Sequence, residues 1–245
     1  MNTYTDAAYN VSLNGLPYMM PVSPWFYTKL PGYDKNWLWA GDELWFDRWQ
    51  EVWSFQPEWV EIISWNDFGE SHYIGPLDSR QFGPFGADLG QAPFNYADGM
   101  SHDGWGAMLP FLIDTYKNGE ATFNTEQLFV WHRINPTGSG CDFGGTSGNT
   151  ASQLQIEFEP QTIVEDAIFV SALLSYDASI VVQIGSTLYG PDWAVIPFNH
   201  QGMFFVSVPF SGSTGDVRVC LTRNGADVLC VDSDPSKQNG EPLPC

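Results

Sequence analysis

The spacing of apolar residues changes near Glu120, and that change limits what the chain can fold into. Before it, short β-branched or apolar runs alternate with helical patterns. Ala7 to Asn14 reads as the tail of a helix stopped by Gly15 and Pro17. Tyr18 to Tyr27 reads as a strand running into a loop, because its prolines forbid a continuous ladder. Lys29 to Ala40 reads as loop. From about Asp42 to Phe55, the residues Leu44, Trp45, Arg48, Trp49, Val52 and Trp53 fall on one helical face. A strand follows at Val60, then a long irregular loop over residues 75–98, then a helix over Trp105 to Tyr116 stopped by Asn118-Gly119.

Beyond Thr122 the pattern is short alternating runs: Leu128–Trp131, Leu154–Phe158, Ile168–Val170, Ile180–Ile184, Phe204–Val208 and Val217–Val219. Turn residues separate them, and Arg223-Asn224-Gly225-Ala226 is a hairpin signal. The expectation is α/β followed by all-β: residues 1–120 as one domain and residues 121–245 as a β-sandwich. Two strands and two helices cannot close a sheet, so the first part belongs to something larger or leans on the second.

The most informative segment is Val60-Glu61-Ile62-Ile63-Ser64-Trp65-Asn66-Asp67-Phe68-Gly69-Glu70-Ser71-His72-Tyr73-Ile74-Gly75-Pro76. It begins as a buried strand and ends in rings, an amide and two carboxylates. Rings stack on the apolar face of a sugar, amides and hydroxyls bond its OH groups, and a carboxyl pair can cut an acetal. A run of Asp, Gly, Glu and Ser after a strand is commonly no more than a solvated loop. The crowding of Trp25, Trp37, Trp39, Trp45, Trp49, Trp53, Trp59 and Trp65 into one stretch favours the chemical reading, although several must be core.

With 43% hydrophobic and 16% charged residues the chain can bury a core. Lys plus Arg minus Asp plus Glu is 9 − 29 = −20, which disfavours nucleic acid and anionic lipid as partners. A neutral polysaccharide does not feel that charge. Cys141, Cys220, Cys230 and Cys245 contain no C-x-x-C pair, so a zinc site is not expected, and the even count suggests two disulfides. Met1 to Asp6 has neither the basic nor the apolar region of a signal peptide, and no apolar run is long enough to span a bilayer.

The first half resembles the C-terminal end of the catalytic domain of fungal α-1,3-glucanases (mutanases) of glycoside hydrolase family 71. The match lies in Tyr18-Met19-Met20-Pro21-Val22-Ser23-Pro24-Trp25-Phe26, in Leu30-Pro31-Gly32-Tyr33-Asp34-Lys35-Asn36-Trp37, and in Trp65 to Pro76. The second half resembles the β-sandwich that follows. The resemblance implies the last two βα units of a (β/α)8 barrel, with Met19–Val22 and Val60–Ser64 as its seventh and eighth strands. It implies an N-terminally truncated chain, feeble or inactive alone, an extracellular location, and a monomer acting on α-1,3-glucan by inversion without cofactor or metal. Carried onto the motif, Glu70 would be the general acid and Asp67 the base, or the reverse. Trp25, Tyr27, Trp65 and Tyr73 would contact sugar rings, and Asn66 and His72 would bond hydroxyls. A glucan-binding fragment without catalysis is the alternative.

Overall fold

The computed structural model of the chain describes residues 4–137 and 145–233. These divide into two compact units, residues 4–122 with 145–164, and residues 123–137 with 165–233.

The first unit mixes helices and small sheets. Helix α1 is Tyr4–Leu13, and strand β1 is Met19–Val22. The loop expected over Lys29 to Ala40 is instead mostly an antiparallel hairpin of β2, Tyr27–Leu30, and β3, Lys35–Leu38. Pro31-Gly32 forms the turn, as a single 3-10 turn with Asp34 in the left-handed region. Helix α2 is Leu44–Phe55, and its C-terminal N–H bonds run from left-handed Gln56 back to Val52. Strand β4, Trp59–Ile62, lies parallel to β1 in the register Met19↔Trp59 to Val22↔Ile62. Helix α3 is Asp103–Asn118, closed by Gly119 at φ 79°.

The core of this unit is where α2 covers β1. Met20 and Val22 point inward, and Trp45, Trp49 and Val52 bury the predicted helix face. Trp53 reaches α3, donating its indole N–H to Leu112 O at 3.1 Å. The opposite face of the parallel pair exposes Met19 and Trp59. Among the described residues no closed barrel forms, and β1 and β4 pair only with each other.

Arg48 pins this core. It is buried with Asp6 of α1, to which it donates two hydrogen bonds, and it also donates to Glu51 at 2.9 Å and to Pro21 O at 2.6 Å. One guanidinium fork thereby ties α1, α2 and β1.

The second unit is all-β. One sheet has the order β10-β7-β5, with β5 Gln127–Trp131, β7 Ala167–Leu174 and β10 Gly202–Pro209. The other has the order β12-β11-β8-β9, with β8 Ser179–Ile184, β9 Thr187–Tyr189, β11 Val217–Arg223 and β12 Ala226–Ser233. Pairing is antiparallel throughout these two sheets. Alternate residues from both, such as Ile168, Val170, Phe204 and Val206 with Ile180, Val182, Val219 and Leu221, enclose one apolar core. The hairpin signal is realised: Asn224 and Gly225 both have positive φ, as a two-residue hairpin turn requires. Cys220 and Cys230 face each other across that hairpin and form a disulfide. Cys141 and Cys245 lie outside the described residues.

The strand expected over Leu154–Phe158 does not form. Only Phe158 makes a bridge, to Gly148 of β6, Ser147–Gly148, which runs parallel beside β3. Leu154, Ile156 and Phe158 are exposed, so their alternation is not that of a core strand.

Replacing Arg48 by Met leaves the Asp6 carboxylate buried without its cation. The expected cost is about 3–5 kcal/mol, the usual scale for breaking a buried pair from one side. The exposed Arg218–Asp232 pair, closed at 2.7 Å, is a control, with a loss of about 1 kcal/mol or less on Arg218→Ala. Urea unfolding followed by tryptophan fluorescence separates the two; equal midpoints for both variants would contradict this account of the core.

Candidate active site

The loop after β4 is pinned at its neck. Ser64 N–H donates to His72 O at 3.0 Å, Ile74 N–H to Ser64 O at 2.9 Å, and Gly75 N–H to Trp65 O at 2.9 Å. Between these rungs the chain makes a 3-10 turn over Phe68–Glu70 and leaves it through left-handed Ser71. Phe68 is the anchor, buried against Tyr73 and Phe82 at centroid distances of 4.8 and 5.3 Å. Tyr96 donates its hydroxyl to Gly69 O at 2.6 Å and fixes the turn from the far side. Asp67 begins the turn and Glu70 ends it, so their separation is set by one turn of backbone.

The two carboxylates have different surroundings. Glu70 accepts hydrogen bonds from His72 Nε2 at 3.1 Å and from the Lys35 ammonium of β3. The His72 bond, with the help of Lys35 and against the cost of burial, holds its pKa down to about 2. Asp67 is raised above the usual carboxylate range, first by loss of hydration and then by the charge of Glu70. Although its side chain reaches solvent, the surrounding loop removes part of its water. Among the described residues no side-chain donor hydrogen-bonds its carboxylate; its backbone N–H donates to Ser64 Oγ at 3.0 Å.

Ser64 also orients His72. Its hydroxyl lies 2.8 Å from His72 Nδ1 while accepting the Asp67 N–H. The hydroxyl hydrogen is then free to go to Nδ1, and a neutral ring carries its proton on Nε2, facing Glu70. Ser64, His72, Glu70 and Lys35 thus form one connected chain. An oxygen of Asp67, an oxygen of Glu70 and a ring nitrogen of His72 lie within 4.8 Å of one another. These three could offer ligands to a cation, but Lys35 already gives Glu70 a positive partner.

The predicted sugar contacts divide into two groups. Trp65 is 64% exposed on the loop. Its indole lies flat against Gly75, where an added Cβ would come within 2.8 Å of the ring, so glycine is what allows the ring to sit there. Asn66 is exposed beside it and donates to the Gln81 side chain. Trp25 is half buried, packed edge-on to Trp105 at 4.7 Å, with its indole N–H on Ser71 O at 2.8 Å. Tyr27 packs edge-on to Tyr96 at 4.9 Å. His72 and Tyr73 are buried, Tyr73 at 1% exposure. The Tyr73 ring stacks 3.9 Å from His102, which burial holds neutral with a pKa near 4, and its hydroxyl bonds Met100 O. Trp65 and Asn66 therefore present faces to solvent, whereas Trp25 and Tyr73 act as struts in this structure.

Sequence reasoning missed Ser64, Lys35 and Tyr96. Lys35 had one available signal: it is among the few cations of the chain and lies inside a matched motif.

Comparison with known proteins places the chain. The model of glycosyl hydrolase family 71 matches residues 1–241, and the chain belongs to that family. It is 37% identical over 191 residues to glucan endo-1,3-alpha-glucosidase agn1 of Schizosaccharomyces pombe, a match covering 76% of this chain and 41% of that protein. It is 36% identical over 188 residues to the mutanase Pc12g07500 of Penicillium rubens, covering 76% and 38%. An ascus wall endo-1,3-alpha-glucanase of S. pombe is 34% identical over 122 residues, covering 48% and 27%. The matches thus span about two fifths or less of these relatives. No solved structure matches the chain.

Replacing Lys35 by Met removes a donor and a charge from Glu70, so the Glu70 pKa should rise from about 2 toward the ordinary carboxylate range. Lys35→Arg should keep it low. Side-chain carboxyl 13C shifts followed through a pH titration read this directly; an unmoved Glu70 in Lys35→Met would show that Lys35 has no hold on it.

Proposed function

We propose that the loop is the catalytic centre of a glycoside hydrolase acting on α-1,3-glucan, with Asp67 as general acid and Glu70 as general base. The observation that carries the reading is the opposite pull on two carboxylates one turn apart: Asp67 is pushed toward holding its proton, and Glu70 is kept ionised. This reverses the assignment first expected from the motif and takes the second option left open there. The names of the relatives supply the substrate class.

Inversion needs room for a water between base and sugar, with carboxyl groups roughly 6.5–9.5 Å apart. The nearest oxygens are closer, within 4.8 Å. Glu70 is tethered by two partners, whereas Asp67 lacks a side-chain donor, so the gap depends on the rotamer of Asp67. Inversion on this pair therefore requires Asp67 to rotate away from Glu70, giving up the hydrogen bond its carboxylate accepts from the Glu70 N–H.

The same reading makes residues 1–120 the rear of a (β/α)8 catalytic domain with β1 and β4 as its last strands. The accessory β-sandwich follows within 121–245, apart from residues 145–164, which cluster with the first unit. Supporting this, parallel strands are normally covered on both faces, yet Met19 and Trp59 are open. No helix among the described residues is long and apolar enough to cross a membrane, and an extracellular monomer is the setting that the reading implies.

Reducing-sugar release from insoluble α-1,3-glucan tests the assignment. Asp67→Asn and Glu70→Gln should each lower whatever turnover the chain shows by about 100-fold or more, and undiminished release in both would remove the loop from the chemistry. NMR of the first product should show the β-anomer; the α-anomer would mean retention. Glucan pull-down without any sugar release would favour the non-catalytic binding reading.

A further inference from the structure

The second unit carries two aromatic rings that its core does not use. Phe198 is 104% exposed and Tyr176 is 74% exposed. Both sit at one rim of the sheet that holds β7 and β10. Strand β7 ends at Leu174 and β10 begins at its partner Gly202, so the turn after one and the turn before the other lie at the same end. Tyr176 is on the first turn. Phe198 is at the tip of the second, which His200 N–H closes on Pro197 O at 2.8 Å. Val195 and Ile196, also exposed, lead into it. Single exposed apolar side chains are ordinary on a protein surface, but a group of them gathered at one rim marks a site of interaction.

The turns that present the rings are tied to each other and pinned from below. His200 Nδ1 donates to Asp177 Oδ1 at 2.8 Å, joining the second turn to the first. Trp193 donates its indole N–H to Ala178 O, also at 2.8 Å. Arg223 donates to the carbonyls of Tyr176 and Asp177 at 2.7 and 2.9 Å and holds both carboxylate oxygens of Glu126 at 2.8 Å. Glu126 in turn accepts the Ser175 N–H at 2.8 Å. The backbone beneath Tyr176 is thereby fixed by groups of the protein itself. A ring carried on so tied a turn gives up little freedom when it meets a ligand.

The groups around the rings select the ligand. Asn199, His200 and Gln201 are exposed beside Phe198, so amides and an imidazole border the apolar patch. Rings pack on the C–H face of a pyranose, and such polar groups bond its hydroxyls. The Arg223 cation is already matched by Glu126, and the chain carries a formal charge of −20, so a phosphate or an anionic lipid gains nothing here. We propose that this rim is a non-catalytic polysaccharide-binding surface, with Tyr176 and Phe198 stacking on a neutral glucan chain and Asn199 bonding its hydroxyls. The identity of the polymer rests on the glycosidase reading; the rim adds a means of holding an insoluble one. Every residue of the rim belongs to the second unit, whereas Asp67 and Glu70 belong to the first.

Adsorption tests this without needing turnover. The probe is insoluble α-1,3-glucan, and the Asp67→Asn chain is used so that the polymer is not consumed. Depletion of protein from solution gives the partition constant. Tyr176→Ala and Phe198→Ala together should lower it at least tenfold, and each alone several-fold. Leu188→Ala, which trims an apolar side chain 66% exposed on β9, should leave it unchanged. Adsorption indifferent to Tyr176 and Phe198, or lost equally in Leu188→Ala, would overturn the proposal. So would Phe198-dependent self-association in sedimentation, or Phe198-dependent binding to phosphatidylcholine vesicles, in a chain that does not adsorb to glucan; the rim would then belong to a second copy or to a lipid surface. Ring-dependent adsorption in a chain whose sugar release ignores Asp67 and Glu70 would sink the catalytic reading and leave the rim standing. Sugar release that needs both carboxylates, with adsorption that ignores the rings, would do the opposite. Far-UV circular dichroism of each variant confirms that the fold is retained.

Discussion

The Glu70 carboxylate accepts from two donors that the chain brings from opposite directions. Lys35 arrives from β3 of an earlier hairpin, and His72 returns from the neck of the loop, held by Ser64 at the end of β4. A carboxylate taken partly out of water is pushed toward its neutral form unless donors replace its hydration. Here the donors win, and Glu70 is stabilised as an anion. Asp67, one turn earlier, shares the loss of water but not the donors, and it feels the neighbouring negative charge. The asymmetry of the site therefore comes from Lys35 and His72. Moving either would make the pair more alike.

That arrangement requires a stiff loop on a modest scaffold. The parallel pair β1–β4 is only four residues long, and its strands have no other partners among the described residues. Stiffness comes instead from closure of the neck by three backbone hydrogen bonds, from burial of Phe68 beneath the turn, and from Tyr96 gripping Gly69 O. Trp25 adds a tie to Ser71 O. The aromatic residues of the motif thus serve two ends. Some hold the turn from below, while Trp65 is left on top because Gly75 lets its ring lie flat.

Features set by neighbours along the chain were legible in the sequence. The α2 face, the Gly119 stop and the Asn224-Gly225 turn depend on spacing and on residues tolerant of positive φ, and all appear in the structure. The strand-to-acidic-loop reading of residues 60–76 also locates the turn that carries Asp67 and Glu70. What was not legible depends on distant approach. The β2–β3 hairpin hid behind Pro31 and Gly32, which look like loop until Tyr27 is seen paired with Leu38. Leu154–Phe158 alternates like a strand but has a single bridge, since alternation names a face without supplying a partner. Lys35 looked like any surface cation. Trp25 and Tyr73 looked like sugar platforms because residue type does not reveal whether a ring faces solvent or the core.

The acidity of the chain bears on what can enter the site. With a formal charge of −20, its few cations serve as local pins: Arg48 on Asp6, Arg223 on Glu126, Lys35 on Glu70. An anionic ligand would be repelled on approach and, at the site, would compete with Glu70 for Lys35. Success in that competition would remove a donor that keeps Glu70 ionised and blur the difference between the two carboxylates. A neutral sugar does neither. It leaves the Lys35–Glu70 pair in place. The ion pair that sets the proton distribution thus also disfavours an anionic ligand at this loop.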